Sequence, residues 1–249
     1  HRGASQLSQF LHGEQGALLV ASQLVSCAPT YQAKLYAASQ AFDEARHVEA
    51  FSRYIQTRSK LMYPVGTGLK SLLDKILTDE RWDLKLIGMQ IIIEGLALAA
   101  FNTAKAVTPD PVFRDILHLI IRDEARHVTF GVNYLEDFIE NLTDGEREDR
   151  AMFAYEACVI SKERLFPTDV FRKFGWNEDE AREFSNNAGF ALEFQRLLFS
   201  RVVPNLSRIG LLTDKVRPLY DKLGVLEFES HTAEDITWAE LEKPLDLTA

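Results

Sequence analysis

Asp43-Glu44-Ala45-Arg46-His47-Val48 recurs unchanged as Asp123-Glu124-Ala125-Arg126-His127-Val128, 80 residues further along the chain. The same offset carries Glu14 onto Glu94, Pro29 onto Pro109 and Tyr54 onto Tyr134. Six identical residues with three further matches in register make an internal repeat, and the spacing shows what is repeated. Glu14 lies 15 residues before Pro29 and Glu44 lies 15 after it. If Pro29 turns an antiparallel helical hairpin, both carboxylates stand at one level, roughly 22 Å from the turn at 1.5 Å per residue. Glu94 and Glu124 flank Pro109 in the same way. Glu44 and His47, three apart, share a helix face, as do Glu124 and His127. Two such hairpins packed face to face bring four carboxylates and two imidazoles into one core.

The rest of the chain agrees with an all-α fold. Segments rich in Ala, Leu, Glu, Gln and Arg follow a helical period, and Pro and Gly fall mostly in the gaps between them. The pattern predicts helices over about 5–27, 31–60, 70–77, 82–107, 112–142, 147–165 and 178–203, with a poorly patterned tail from Gly210. No low-complexity linker divides them. One domain over 1–249 is expected, with a metal-binding core at 5–142, additional helices at 143–209 and a C-terminal tail at 210–249.

Composition narrows the function. The 249 residues are 46% apolar, enough for a sizeable core, and 28 Lys+Arg against 37 Asp+Glu leave a formal charge of −9 without any basic block. A nucleic-acid or anionic-membrane binder is excluded on those grounds. Cys27 and Cys158 stand far apart with no C-x-x-C partner, which excludes a disulfide scaffold or zinc ribbon and fits the reducing cytoplasm expected as its location. The apolar run 86–101 carries Gln90 and Glu94 and is shorter than the about 20 residues a membrane span needs, so it reads as a buried helix.

Four carboxylates in a low-dielectric core repel one another and take up protons unless cations neutralise them. Glu14 sits among Leu7, Phe10, Leu11, Ala17, Leu18 and Ala21, and Glu94 among Ile87, Ile91, Ala97, Leu98 and Phe101, so each demands a partner. Two metal ions meet that demand, held by Glu14, Glu44, His47, Glu94, Glu124 and His127. Oxygen ligands with one imidazole per metal suit iron or manganese. A di-iron pair is expected first, with Mn/Fe or Mn/Mn as alternatives.

A Glu from each of two helices and Glu-x-x-His from each of two others resembles the ferritin-like di-iron carboxylate superfamily, over about residues 5–140. Asp-Glu-x-Arg-His resembles the hydroxylase subunits of bacterial di-iron monooxygenases. Gln9-Phe10-Leu11-His12-Gly13-Glu14 resembles the first ligand helix of the ribonucleotide reductase small subunit and its ligand-binding oxidase relatives. The resemblance implies a ferritin-like four-helix bundle of two antiparallel hairpins joined by a long crossover. It also implies that Asp43 accepts a hydrogen bond from His127, and Asp123 one from His47, fixing the imidazoles. The chain departs from each branch: Phe51 stands where the reductase keeps its radical Tyr, Ala17 and Met89 where the oxidases form a Val-Tyr cross-link, and Ala97 and Leu98 where the monooxygenases keep a Thr. Ile120 stands where the p-aminobenzoate N-oxygenases add a third His.

One turn past the two histidines the halves differ, Phe51 against Gly131. That asymmetry suggests a small apolar substrate pocket bounded by Phe10, Phe51, Ile91, Leu98, Phe101 and Ile120 and opened by Gly131; ordinary core packing, with Gly131 easing helix approach, is the alternative. Gln40 and Gln90, one turn before Glu44 and Glu94, are placed to hydrogen-bond ligands or to be satisfied core amides. The leading function is a dioxygen-activating di-iron (or Mn/Fe) oxygenase or oxidase acting on a small, partly apolar organic molecule. A ferroxidase or peroxide-detoxifying ferritin-like protein is one alternative; a reductase-small-subunit-like or metal-stapled, non-catalytic subunit is another. No flavin or nicotinamide motif is present, so a separate reductase is the expected electron donor, and a homodimer the expected assembly, with no nucleic acid and no membrane as partner.

Overall fold

The computed structural model describes residues 2–166, 175–177, 179, 180, 183 and 189–231. Helix α1 (Arg2–Cys27) stops at Pro29, and Thr30 starts α2 (Tyr31–Tyr54) by accepting the Ala33 N–H at 3.2 Å. The second hairpin repeats this: α4 (Trp82–Val107) ends before Pro109, and Asp110 caps α5 (Pro111–Glu140) by accepting the Val112 N–H at 3.0 Å, with Pro111 in the first turn where a missing N–H costs nothing. Between the hairpins runs a crossover carrying α3 (Thr67–Thr78). The described residues contain no strand, and the core is a ferritin-like four-helix bundle of α1, α2, α4 and α5.

Two stretches depart from α-helical geometry. The expected continuation of α2 to Lys60 is a π-helical turn, Ile55–Ser59, closed by Lys60 in the left-handed region (φ 55°). Within α4, Ile87–Ile93 is π-helical and wholly buried, and it delivers the chain directly into Glu94. Such widened turns concentrate at functional positions. Helix α4 is long and apolar enough to cross a bilayer, yet 89% of its apolar window is buried inside the bundle, as the interruption by Gln90 and Glu94 led us to expect.

Beyond the bundle, α6 (Asp144–Glu163) begins with a reciprocal Thr143–Glu146 capping box and packs on α3. Helix α7 (Gly189–Arg208) lies against the second half of α4 and runs on through Pro204, with Val203 before the proline and Leu206 after it both buried. The start of the helix expected at 178–203 lies outside the described residues. The expected tail is structured to Ser230: α8 (Arg217–Leu223) and a 3-10 turn (Leu226–Ser230) fold back, burying Tyr220, whose hydroxyl is 3.8 Å from Cys158 Sγ. Residues 232–249 of that tail lie outside the described residues.

One charge is built into the packing. Lys85 is 3% exposed, and its ammonium donates to Gln23 Oε1 (2.6 Å) and to the carbonyls of Ile76 (3.1 Å) and Leu77 (3.2 Å) at the end of α3. Burial lowers its pKa. Lys85→Met keeps the stem and orphans these acceptors, so unfolding in denaturant should show a loss of about 2–4 kcal/mol.

Candidate metal centre

The six residues singled out by the repeat meet at the centre of the bundle. Glu14, Glu44, His47, Glu94, Glu124 and His127 are each no more than 5% exposed. They form two overlapping quartets whose ligand atoms lie within 4.8 Å of one another: Glu14, Glu44, His47 and Glu124 in one, and Glu44, Glu94, Glu124 and His127 in the other. Glu44 and Glu124 belong to both. Two carboxylates placed between two sites, each completed by one further Glu and one His, make a cluster able to hold two metal ions.

The imidazoles are oriented for this. His47 Nδ1 faces inward, 3.1 Å from Glu14 Oε2, 3.3 Å from Glu44 Oε2 and 3.1 Å from Glu124 Oε1, while Nε2 lies 3.2 Å from Asp123 Oδ2. His127 Nδ1 faces inward too, 3.2 Å from Glu44 Oε1, with Nε2 3.3 Å from Asp43 Oδ2. A proton on Nε2, donated to the aspartate, leaves the Nδ1 lone pair for a metal; this tautomer is assigned from the partners. Asp43 and Asp123 thus stand across the hairpins as the resemblance implied. Arg46 binds Asp43 and reaches Asp123 at 3.1 Å, and Arg126 binds Asp123 at 2.6 Å and reaches Asp43 at 3.5 Å, so a closed lattice of charge backs both histidines.

Electrostatics show what the cluster lacks. Burial raises the Glu14 and Glu94 carboxyls well above the usual carboxylate range, and the charge of Glu124 adds to it. Burial opposes ionisation of Glu44 as well, but His127 and His47 outweigh it and hold Glu44 below that range. Both imidazoles are driven far up against their own burial, His47 chiefly by Asp123, Glu124 and Glu14 and His127 by Asp43, Glu124 and Glu44. Even so, both oxygens of Glu124, Glu94 Oε2 and His127 Nδ1 are buried without a hydrogen bond. Four orphaned atoms of this kind, converging from three side chains, are what a bound cation satisfies. The oxygen and imidazole donors fit iron or manganese.

Around the cluster the two ends of the bundle differ from expectation. Phe10, Phe51 and Phe101 pack ring on ring, with centroids 4.8–6.0 Å apart, and with the buried Ile91, Leu98 and Ile120 they belong to the core. Gly131 does not open a pocket there: a Cβ on it would sit 2.7 Å from Gln90 Cβ, so the glycine lets the π-helical segment come close. Gly131→Ala should therefore cost about 1–3 kcal/mol, read as a lower denaturation midpoint, and the larger Gly131→Phe should not pack at all.

What the sequence reading left undecided is settled for two glutamines. Gln40 Nε2 donates to Glu94 Oε1 at 2.7 Å and to Glu44 Oε1 at 3.3 Å, while its carbonyl accepts from Gln90 Nε2 at 3.0 Å. The amide chain holds one carboxylate of each hairpin in place, and of the two amides' own atoms the buried Gln90 Oε1 is the one without a hydrogen-bond partner. Beside Gln40 lies a void of about 10 Å³ lined by Leu24, Ala28, Ala33, Ala37, Trp82 and Tyr134, among others. A larger surface depression between Asp79, Arg81 and Asp149 shares no residue with the cluster.

Tyr54 and Tyr134, matched by the repeat, turn out to be ties between hairpins. The Tyr54 hydroxyl donates to Asp110 at 2.9 Å, and Tyr134 bonds Thr30 at 2.8 Å. Thr30 and Asp110 are themselves 80 apart, so each tyrosine clasps the helix cap of the opposite hairpin. That match was present in the sequence, concealed by the change from Thr to Asp.

No family model and no curated protein sequence matches the chain. Among solved structures, a Synechococcus protein described as "Protein 19 with aldehyde deformylating oxidase activity" superposes with a TM-score of 0.68 at 16% sequence identity, covering 88% of this chain and 94% of that one. At that identity the likeness speaks for architecture, and the architecture shared is the ferritin-like helical bundle.

Proposed function

We propose that this chain is an oxidoreductase that uses dioxygen at a dinuclear iron centre to oxidise a small, partly apolar organic substrate. The observation that carries the reading is the pair of buried quartets sharing Glu44 and Glu124, with ligand atoms that make no hydrogen bond among the described residues. The oxidase activity in the description of the structural neighbour supports the same reaction class. Two bound iron ions would supply the electrons that reduce dioxygen.

The chain's own contribution is positional. Asp43 and Asp123 keep the histidine Nε2 protons on the outer side, and the hydrogen bonds from His127 and His47, aided by Arg46 and Arg126, outweigh burial and hold both aspartates below the usual carboxylate range. Gln40 holds Glu44 and Glu94 through the two hydrogen bonds that its amide Nε2 donates to them. The surrounding apolar side chains exclude water, which strengthens every charge interaction inside. A separate reductase, a homodimeric state and a cytoplasmic setting complete the proposal.

The experiment is anaerobic loading with iron(II), followed by dioxygen in the presence of a panel of apolar aldehydes, acids and amines. Product stoichiometric with the dioxygen consumed, and metal content staying near two ions per chain, supports the proposal. Iron accumulating as mineral without organic product would replace it with ferroxidase activity.

A further inference from the structure

We propose that dioxygen reaches the cluster from the Pro29 end of the bundle, through the apolar void bounded by Ala33, Ala37, Trp82 and Tyr134, and that the Pro109 end is sealed. This rests on the dioxygen chemistry proposed above and adds where the gas binds on its way in.

The repeat itself supplies the control. At the offset of 80 residues Ala33 corresponds to Phe113, Ala37 to Leu117, Gln40 to Ile120, Gly131 to Phe51 and Gln90 to Phe10. The two ends of the bundle are therefore built on one plan and filled differently. At the Pro109 end, Phe113 stacks on Tyr54 with centroids 4.7 Å apart and meets Phe51 at 6.4 Å, and Phe51 meets Phe10 at 6.0 Å. Aromatic rings and the buried Leu117 and Ile120 fill that end. At the Pro29 end, the places of Phe113 and Leu117 are taken by Ala33 and Ala37, and the space their side chains leave is the void.

The void is placed to matter. Its inner wall is the buried Gln40, which touches Glu44 and Glu94 directly. Its outer wall is formed by the partly exposed Trp82, Phe130 and Tyr134, with Tyr36 stacked on Phe130 at 3.7 Å. At about 10 Å³ it is at the lower limit for one small molecule and far too small for an organic substrate. Its lining is apolar except at Gln40, the Trp82 indole and the Tyr134 hydroxyl, and that hydroxyl is occupied by Thr30. A buried water makes two to four hydrogen bonds, whereas an apolar diatomic needs none, and most of this lining is apolar.

The test uses xenon as a stand-in for dioxygen, with zinc-loaded protein so that no turnover is involved. Crystals pressurised with xenon should show it between Ala33, Ala37 and Gln40 and not beside Phe51. Ala33→Phe and Ala37→Leu each install the side chain of the opposite end; both should lose the xenon, keep two metals per chain, and slow oxidation of the iron(II)-loaded protein by about tenfold or more. Phe113→Ala should add a second xenon site at the sealed end without slowing oxidation. If one plugging variant fails to fold, the other carries the test. Xenon only at the Phe51 end, an ordered water that xenon does not displace, or unchanged oxidation rates in a folded plugged variant would overturn the inlet. Plug-sensitive oxidation with no organic product would keep the inlet and discard the oxygenase.

Discussion

Glu44→Gln is expected to strip both metal ions from the protein, where Glu14→Gln or Glu94→Gln removes chiefly one. The difference follows from membership: Glu44 belongs to both quartets, Glu14 and Glu94 to one each. Metal analysis after reconstitution should show content falling from two ions per chain to near zero for Glu44→Gln and to about one for the others. The metal-free proteins should differ as well. Glu44 is the carboxylate held ionised by both histidines, so its neutral isostere leaves buried imidazolium poorly compensated, at a cost on the order of 3 kcal/mol. Burial and the charge of Glu124 shift Glu94 towards its protonated form, so Glu94→Gln should change the denaturation midpoint of the metal-free protein less than Glu44→Gln does. Equal metal content in Glu44→Gln and Glu14→Gln would show that the carboxylates are not shared.

Metal affinity should climb steeply with pH. In the metal-free protein burial and the charge of Glu124 shift Glu14 and Glu94 up, and carboxylate partners shift His47 and His127 up, so all four keep their protons to higher pH than usual. A metal takes the deprotonated form of each. Every proton displaced makes affinity rise about tenfold per pH unit below the group's pKa. With one Glu and one His per site, two protons leave with each metal, and affinity should rise roughly a hundredfold per unit. Titration calorimetry in buffers of different ionisation enthalpy, or an indicator dye in weak buffer, counts the protons. A pH-independent affinity between about 6 and 8 would contradict the cluster as described.

Much of this was legible because ligand chemistry tolerates so little change. Glu44, His47, Glu124 and His127 stand in a repeat of identical residues, and Glu14 and Glu94 follow from distance to a proline, so the cluster emerges from arithmetic and helix geometry. The hairpins follow from the same prolines. What escaped reading depends on space. Phe51 against Gly131 was visible as a difference, but whether a glycine leaves a hole or admits a neighbour depends on how closely the π-helical Ile87–Ile93 approaches, and helical periodicity carries no sign of that extra residue per turn. The fold of 211–230 was equally hidden, since its burial comes from contacts with α6 and α7 and its short helix has no sustained period. The ties of Tyr54 to Asp110 and Tyr134 to Thr30 needed the insight that a hydroxyl and a carboxylate can serve as the same cap.

Neither quartet is complete within one hairpin: the first borrows Glu124 from the second hairpin, and the second borrows Glu44 from the first. A hairpin of this kind alone would bind metal only by pairing with a twin, and twins encoded by one copy of a sequence must be identical at every position. Joined through the crossover, the halves are a dimer on a single chain, and each is free to drift. Ala33 and Phe113 are what that freedom permits: one mouth closed, the other left ajar, around a centre where neither half has changed a ligand.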